Sequence, residues 1–199
     1  MSFVLIGLSG TNGSGKDTIG HMLAERHNFL FISASDLLRD EARARGEEPT
    51  REILRTISAE WRRESGHLGV LVDKAVEQYS QVADMYPGGL VVVSLRNPGE
   101  ADRIHEMDGV MVWADADQKV RYDRIMAHAA ARNRAGEDNR TFEQFQLEEA
   151  AEMTSSGDTA TLNMSAVKER SDIFITNDGD DIDAFKDEAE LALKLENIL

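Results

Sequence analysis

The chain has 199 residues, 41% of them hydrophobic and 30% charged, enough for one domain with its own core, and no apolar run approaches the ~18 residues of a membrane span. No cysteine is present, which excludes disulfides and thiolate metal sites and fits a reducing cytoplasm. A formal net charge of −15 argues against a nucleic-acid polymer as partner, while a local arginine cluster could still hold a nucleotide.

In chain order, short β-rich runs alternate with longer helical stretches, the pattern of stacked βαβ units. The apolar run 3–8 predicts a first strand, and its place at the N-terminus leaves no room for a signal peptide. It leads into Gly10-Thr11-Asn12-Gly13-Ser14-Gly15-Lys16-Asp17-Thr18. Glycines there let successive backbone N–H groups turn toward an anion. A helix expected over 15–27 adds its positive end, and Lys16 reaches the terminal phosphates of a nucleoside triphosphate. The spacing fits the Walker A pattern except that Asp17 stands where a Ser or Thr normally ligates Mg²⁺.

A second strand over 29–33 precedes a helix over 35–46, which Ser33 or Ser35 can cap, with Asp36 in its first turn. Helices follow over 51–63 and 67–83. Tyr86-Pro87-Gly88-Gly89 is a turn into a third strand over 90–95. Beyond it lie a helix over 98–107, a strand over 110–114, helices over 117–131 and 141–155, a strand over 172–176 and a helix over 181–196. The runs Val91-Val92-Val93 and Phe174-Ile175 have the unbroken apolar character of strands covered on both faces. The polar, arginine-bearing stretch 132–141 interrupts two helices and reads as a mobile lid. The expected architecture is α/β: a P-loop three-layer sandwich with a five-stranded parallel sheet flanked by helices, residues 1–199 forming a single domain.

Several motifs, taken together and in order, resemble known kinases. Ile32-Ser33-Ala34-Ser35-Asp36-Leu37-Leu38-Arg39 is similar to the segment after the second strand of adenylate kinases, Ser-Thr-Gly-Asp-Leu-Leu-Arg. Val93-Ser94-Leu95-Arg96-Asn97-Pro98-Gly99-Glu100-Ala101 resembles the Asp-Val-Arg-x-Pro-x-Glu-Ala stretch of phage-type deoxynucleoside monophosphate kinases, which often share the Gly-Lys-Asp-Thr ending of the loop. Ile173-Phe174-Ile175-Thr176-Asn177-Asp178-Gly179 resembles the fifth-strand exit of dephospho-CoA kinases. The chain is thus similar to the nucleoside-monophosphate-kinase-like group of P-loop kinases over nearly its whole length.

That resemblance implies ATP and Mg²⁺ at Gly10 to Thr18, with the base near Asn177 and Gly179 and with Asp17 near the metal. A small phosphorylated acceptor would lie against the helices over 35–83, with Asp36, Arg39 and Arg96 as its contacts. Lys16, Asp36, Arg96 and the lid arginine Arg132 would carry catalysis, with Arg134 and Arg140 as further lid cations. Arg121 and Arg124 share a helix face; one is expected at the phosphates, the other paired with Asp117 or Asp123. Arg55 or Arg62 could assist at the acceptor, and His67 could line its pocket. Ser94 is a departure, standing where relatives carry the third-strand aspartate that holds a Mg²⁺ water. Three readings stay open: a nucleoside or deoxynucleoside monophosphate kinase, a dephospho-CoA-like kinase, and a nucleotide-binding switch that hydrolyses ATP slowly.

Overall fold

The computed structural model describes residues 3–127, 141–154 and 156–199. Five strands form one sheet: β1 (Leu5–Gly10), β2 (Phe29–Ser33), β3 (Gly89–Val93), β4 (Val110–Asp115) and β5 (Ile173–Thr176). Their spatial order is β2-β3-β1-β4-β5, and every neighbouring pair is parallel. Parallel neighbours need crossovers, and helices supply them: α1 (Lys16–His27), α2 (Ala34–Ala44), α3 (Arg51–Ser65), α4 (Val70–Val82), α5 (Pro98–Glu106), α6 (Gln118–Ala127), α7 (Phe142–Met153) and α8 (Met164–Glu169); α9 (Ile182–Leu195) follows the last strand. The P-loop three-layer α/β architecture expected from the sequence is the one observed.

Alternation along the strands splits the core into two layers. Ile6, Leu8, Val91, Val93, Val112, Ala114, Ile173 and Ile175 face Ile19, Met22 and Leu23 of α1 and Phe185, Ala189 and Leu193 of α9. Leu5, Ile32, Leu90, Val92, Met111 and Trp113 face the opposite layer, built from α2, α3, α4, α5 and α8. Trp113, at 1% exposure, is a core residue.

The structure bears on three local points of the sequence reading. Phe174 is 57% exposed, because β5 is an edge strand whose Ile173 and Ile175 side alone is packed, against α9. The helix α8 falls in a stretch to which the sequence reading assigns no element; six residues are too few for a clear amphipathic period, although Asn163 caps it by accepting from the Ala166 amide. Ser33, not Ser35, caps α2, accepting from the Asp36 amide at 3.3 Å. Among the described residues no helix is long and apolar enough to cross a membrane. The stretch 128–140, which contains most of the expected lid with Arg132, Arg134 and Arg140, lies outside the described residues.

Candidate active site

The chain leaves β1 between β3 and β4, the point where connections switch from one side of the sheet to the other. A crevice at the carboxyl ends of the strands is expected there, and the loop Gly10 to Thr18 occupies it. Gly10 has φ 140° and a Cβ there would meet the Ala114 carbonyl oxygen at 2.0 Å; Gly15 has φ 93° and a Cβ would sit 2.5 Å from Asn177 Nδ2. Only glycine fits both the backbone region and the space. Gly15 then caps α1, so the helix starts at Lys16.

Long-range bonds hold the loop. Thr11 Oγ1 donates to Asp115 Oδ1 at 2.7 Å and Ser9 Oγ to the Leu95 carbonyl at 2.6 Å. Asp115 also accepts from Trp113 Nε1 at 3.3 Å, the Ala116 amide at 2.9 Å and Lys168 Nζ at 3.4 Å. Burial alone would raise the Asp115 carboxyl, but the bonds from Thr11, Trp113 and Ala116, with Arg121 nearby, hold it below its ordinary value. Lys16 is 6% exposed, its Nζ 3.4 Å from the Thr11 carbonyl. Asn12 Nδ2 and Ser14 Oγ are buried without a hydrogen-bond partner among the described residues. Buried polar atoms are normally satisfied, and phosphate oxygens in the cradle would satisfy both.

Two cavities flank the loop. The first, of about 390 Å³, has walls from Asn12, Lys16, Asp17, Arg124, Asn177 and Phe185. Asn177 Nδ2 donates to the Ser14 carbonyl at 3.0 Å, joining the exit of β5 to the loop. Arg124 Nη1 donates to the Asn177 carbonyl at 2.7 Å, and its Nη2 to the Gly179 carbonyl. The second cavity, of about 290 Å³, includes Lys16, Asp17, Asp36, Arg39, Ser94 and Arg96 in its lining. The structure therefore gathers Asn12, Gly13, Gly15, Lys16, Asp17 and Thr18 of the loop with Asn177 and Gly179 around one cavity, and Asp36, Arg39 and Arg96 around the other, while Gly10, Thr11 and Ser14 line neither. Asn12, Lys16 and Asp17 belong to both.

Several side chains differ from expectation. Arg121 pairs with neither Asp117 nor Asp123. It binds Glu149 of α7 and donates to the Ala116 carbonyl at 2.8 Å and the Asn12 carbonyl at 3.3 Å; Asp123 is taken by Lys119. His67, expected to line the acceptor pocket, lies outside this second cavity, its Nε2 3.1 Å from Asp73 Oδ2. Arg62 is a buried structural cation on Glu100 at 2.5 Å. Arg39 Nη1 donates to Asp36 Oδ1 at 2.8 Å, and both residues line the second cavity. Ser94 has φ 68°, a left-handed conformation just past the end of β3, and lines that cavity.

Sequence reasoning missed Asp115, Glu100 and Glu152. Glu152 of α7 accepts from Arg55 Nη2 and Arg96 Nη1, each at 2.7 Å, and lies 3.6 Å from Arg51 Nη1. Burial favours its neutral form, but Arg96, Arg51 and Arg55 outweigh that and bring its carboxyl down to about 2. For metal, no group of three His, Asp or Glu side chains among the described residues is arranged to hold an ion. Mg²⁺ is usually held by one or two carboxylates plus substrate phosphates, and Asp17, on the edge shared by both cavities, fits that single-ligand role.

A 2-3-1-4-5 parallel sheet with a glycine cradle at its switch point defines a P-loop kinase-like fold. The sequence model of the AAA domain family (AAA_18) matches residues 6–146, and the chain belongs to that family. It is 27% identical to UPF0200 protein PAE1629 of Pyrobaculum aerophilum, over 92% of this chain and 93% of that one. Among solved structures it is similar to a shikimate kinase from Bacteroides thetaiotaomicron, with a TM-score of 0.59, 13% identity and 98% of each chain covered. It is also similar to TT1252 from Thermus thermophilus, with a TM-score of 0.59, 18% identity and 100% of each chain covered. A shikimate kinase from Acinetobacter baumannii in complex with shikimate gives a TM-score of 0.54 at 18% identity, covering 98% of this chain and 95% of that one. At these identities the likeness speaks to the fold.

Proposed function

We propose that the protein is a one-domain, ATP-dependent small-molecule kinase that transfers the γ-phosphoryl group to a nucleoside or deoxynucleoside monophosphate. The observation that carries this reading is the junction: Asn12, Lys16 and Asp17 line both cavities, so a donor in one and an acceptor in the other meet at Lys16. Phosphoryl transfer needs charge neutralisation and in-line placement more than covalent help from the protein. The loop amides and Lys16 hold the β- and γ-phosphates. Arg39 and Arg96 hold the acceptor phosphate, and Asp36, bonded to Arg39, sets that guanidinium's position. An acceptor oxygen attacks the γ-phosphorus while the bond to the bridging oxygen breaks, its electron pair leaving on ADP. Arg124 and the Asn177–Gly179 turn frame the base of the donor. Asp17 would hold Mg²⁺, which when bound supplies positive charge to the transferring phosphoryl group. Arg132 is assigned the role of a closing cation on sequence grounds alone.

Lys16→Ala should abolish ATP-dependent phosphorylation in a panel of nucleoside monophosphates while the circular dichroism spectrum stays unchanged. Full turnover by that variant would sink the assignment. One feature supports a second reading: Ser94 offers no charge where a third-strand carboxylate would orient a metal-bound water. ADP release that requires no acceptor, neither a nucleoside monophosphate nor dephospho-CoA, would favour a slow ATPase switch.

A further inference from the structure

Among the described residues, Glu152 stands apart from the other carboxylates because three guanidiniums converge on it from two directions. Arg51 and Arg55 come from α3, and Arg96 from the segment that leaves β3. The Glu152 side chain is 11% exposed, and all four residues line the acceptor cavity. Arg51 is shared with Glu148 at 3.6 Å, whose side chain is 44% exposed. Among the described residues, Arg51, Arg55 and Arg96 bring three guanidiniums to the largely enclosed Glu152 and the more exposed Glu148. Several guanidinium forks aimed at a single pair of oxygens are the arrangement that recognises an oxyanion. A carboxylate brings one negative charge, whereas a phosphate monoester brings about −1.5 to −2 at pH 7 and a third oxygen. The dianion is the better match to the cluster.

We propose that Glu152 is a built-in competitor for the phosphate of the acceptor, occupying the anion subsite formed by Arg51, Arg55 and Arg96 until a phosphate monoester displaces it. The term acceptor rests on the kinase reading; the subsite and its internal occupant do not. The consequence is regulatory. A neighbouring residue of the same helix, Glu149, binds Arg121, which also donates to the Asn12 carbonyl in the phosphate loop. Residues of α7 thus contact cations of the acceptor cavity and, through Arg121 of α6, are joined to the loop. Occupation of the subsite by Glu152 lowers apparent phosphate affinity by the fraction of molecules in which the arginines are free.

The test is calorimetric titration of the full-length protein with inorganic phosphate, without ATP. Glu152→Gln should bind phosphate about tenfold or more tighter than the unmodified chain, since the competing charge is gone. Adding Arg55→Ala to that variant should remove the gain, while the loop from Gly10 to Thr18 is untouched. Glu152→Asp, which retains the charge but draws it back by one methylene, should move affinity in the same direction by less, and it serves if the glutamine variant does not fold. Equal affinity in the unmodified chain and in the folded Glu152 variants would overturn the proposal. So would a gain that survives Arg55→Ala, because phosphate would then be binding at the loop. The readout involves no turnover. Tightened phosphate binding with no phosphorylated acceptor would uphold the subsite and remove the kinase reading, and the converse pair of results would do the opposite.

Discussion

Removing the carboxylate of Glu100 tests how the wall of the second cavity, which Glu100 and Arg62 both line, is held. Glu100 and Arg62 have side chains 0% and 1% exposed, with Oε1 and Nη2 2.5 Å apart. Glu100 Oε2 also accepts from the backbone amides of Arg96 at 2.7 Å and Asn97 at 3.0 Å, closing the capping box of α5 with Asn97. In Glu100→Ala, Arg62 keeps the Ala160 carbonyl at 2.7 Å and Ser58 Oγ at 3.3 Å, but its charge is left unpaired in the interior. Breaking a buried pair from one side costs roughly 3–5 kcal/mol, a large share of the ~5–15 kcal/mol that holds a domain together. With a urea m-value of about 2 kcal/mol/M, the midpoint should fall by roughly 2 M with m unchanged. Replacing both partners by apolar residues, Glu100→Leu with Arg62→Met, should recover much of that loss, since no lone charge remains. A midpoint shift worth less than about 1 kcal/mol for Glu100→Ala, the size of an ordinary exposed pair, would refute the argument. So would a double variant as unstable as the sum of the two single ones.

Other outcomes follow from the same geometry. Gly15→Ala forces an L-residue to φ 93° with its Cβ 2.5 Å from Asn177 Nδ2; the backbone strain alone is about 1–2 kcal/mol, and ATP affinity measured by calorimetry should fall sharply. Unchanged affinity would mean that the loop does not need this conformation. Glu152 titrates at about 2 instead of its ordinary 4.5. A depressed carboxyl contributes stability that is complete above pH 4.5 and lost as pH falls toward 2, about 2.5 units or on the order of 3 kcal/mol. Denaturant titrations across that window should show the loss in the unmodified protein and a flatter slope in Glu152→Gln; parallel slopes would contradict the ion-pair assignment.

The phosphate loop was legible because its information is local: nine consecutive residues after an apolar strand specify a turn, a cradle and a cation. Strand positions were legible for a similar reason, since apolar runs such as Leu90 to Val93 are core on both faces. Phe174 shows the limit of that rule. Its run looks the same in sequence, and only the place of β5 at the sheet edge leaves it exposed. Asn177 could be picked out by its motif, yet its bond to the Ser14 carbonyl spans 163 positions. Glu152 had no local signature: it is one of four glutamates in α7, and only its distance from Arg55 and Arg96 distinguishes it. Glu100 was visible as part of a motif, but its burial against Arg62 was not. Arg121 and Arg124 were recognised as neighbours on one face; their partners, Glu149 and the Asn177 and Gly179 carbonyls, come from elements far along the chain.

By itself, then, the sequence determined the alternation of strands and helices, the parallel sheet they imply, and a glycine-rich loop at Gly10 to Thr18, because each depends on periodicity or on backbone freedom within a few residues. Tertiary structure alone decided which charges meet. Arg62 became a core cation, Arg96 and Arg55 became the clasp of Glu152, and Asp115 became the anchor of Thr11. The physical reason is that a charged side chain's role is set by the partner within about 4 Å and by the water excluded around the pair, and neither is encoded near that residue in the chain.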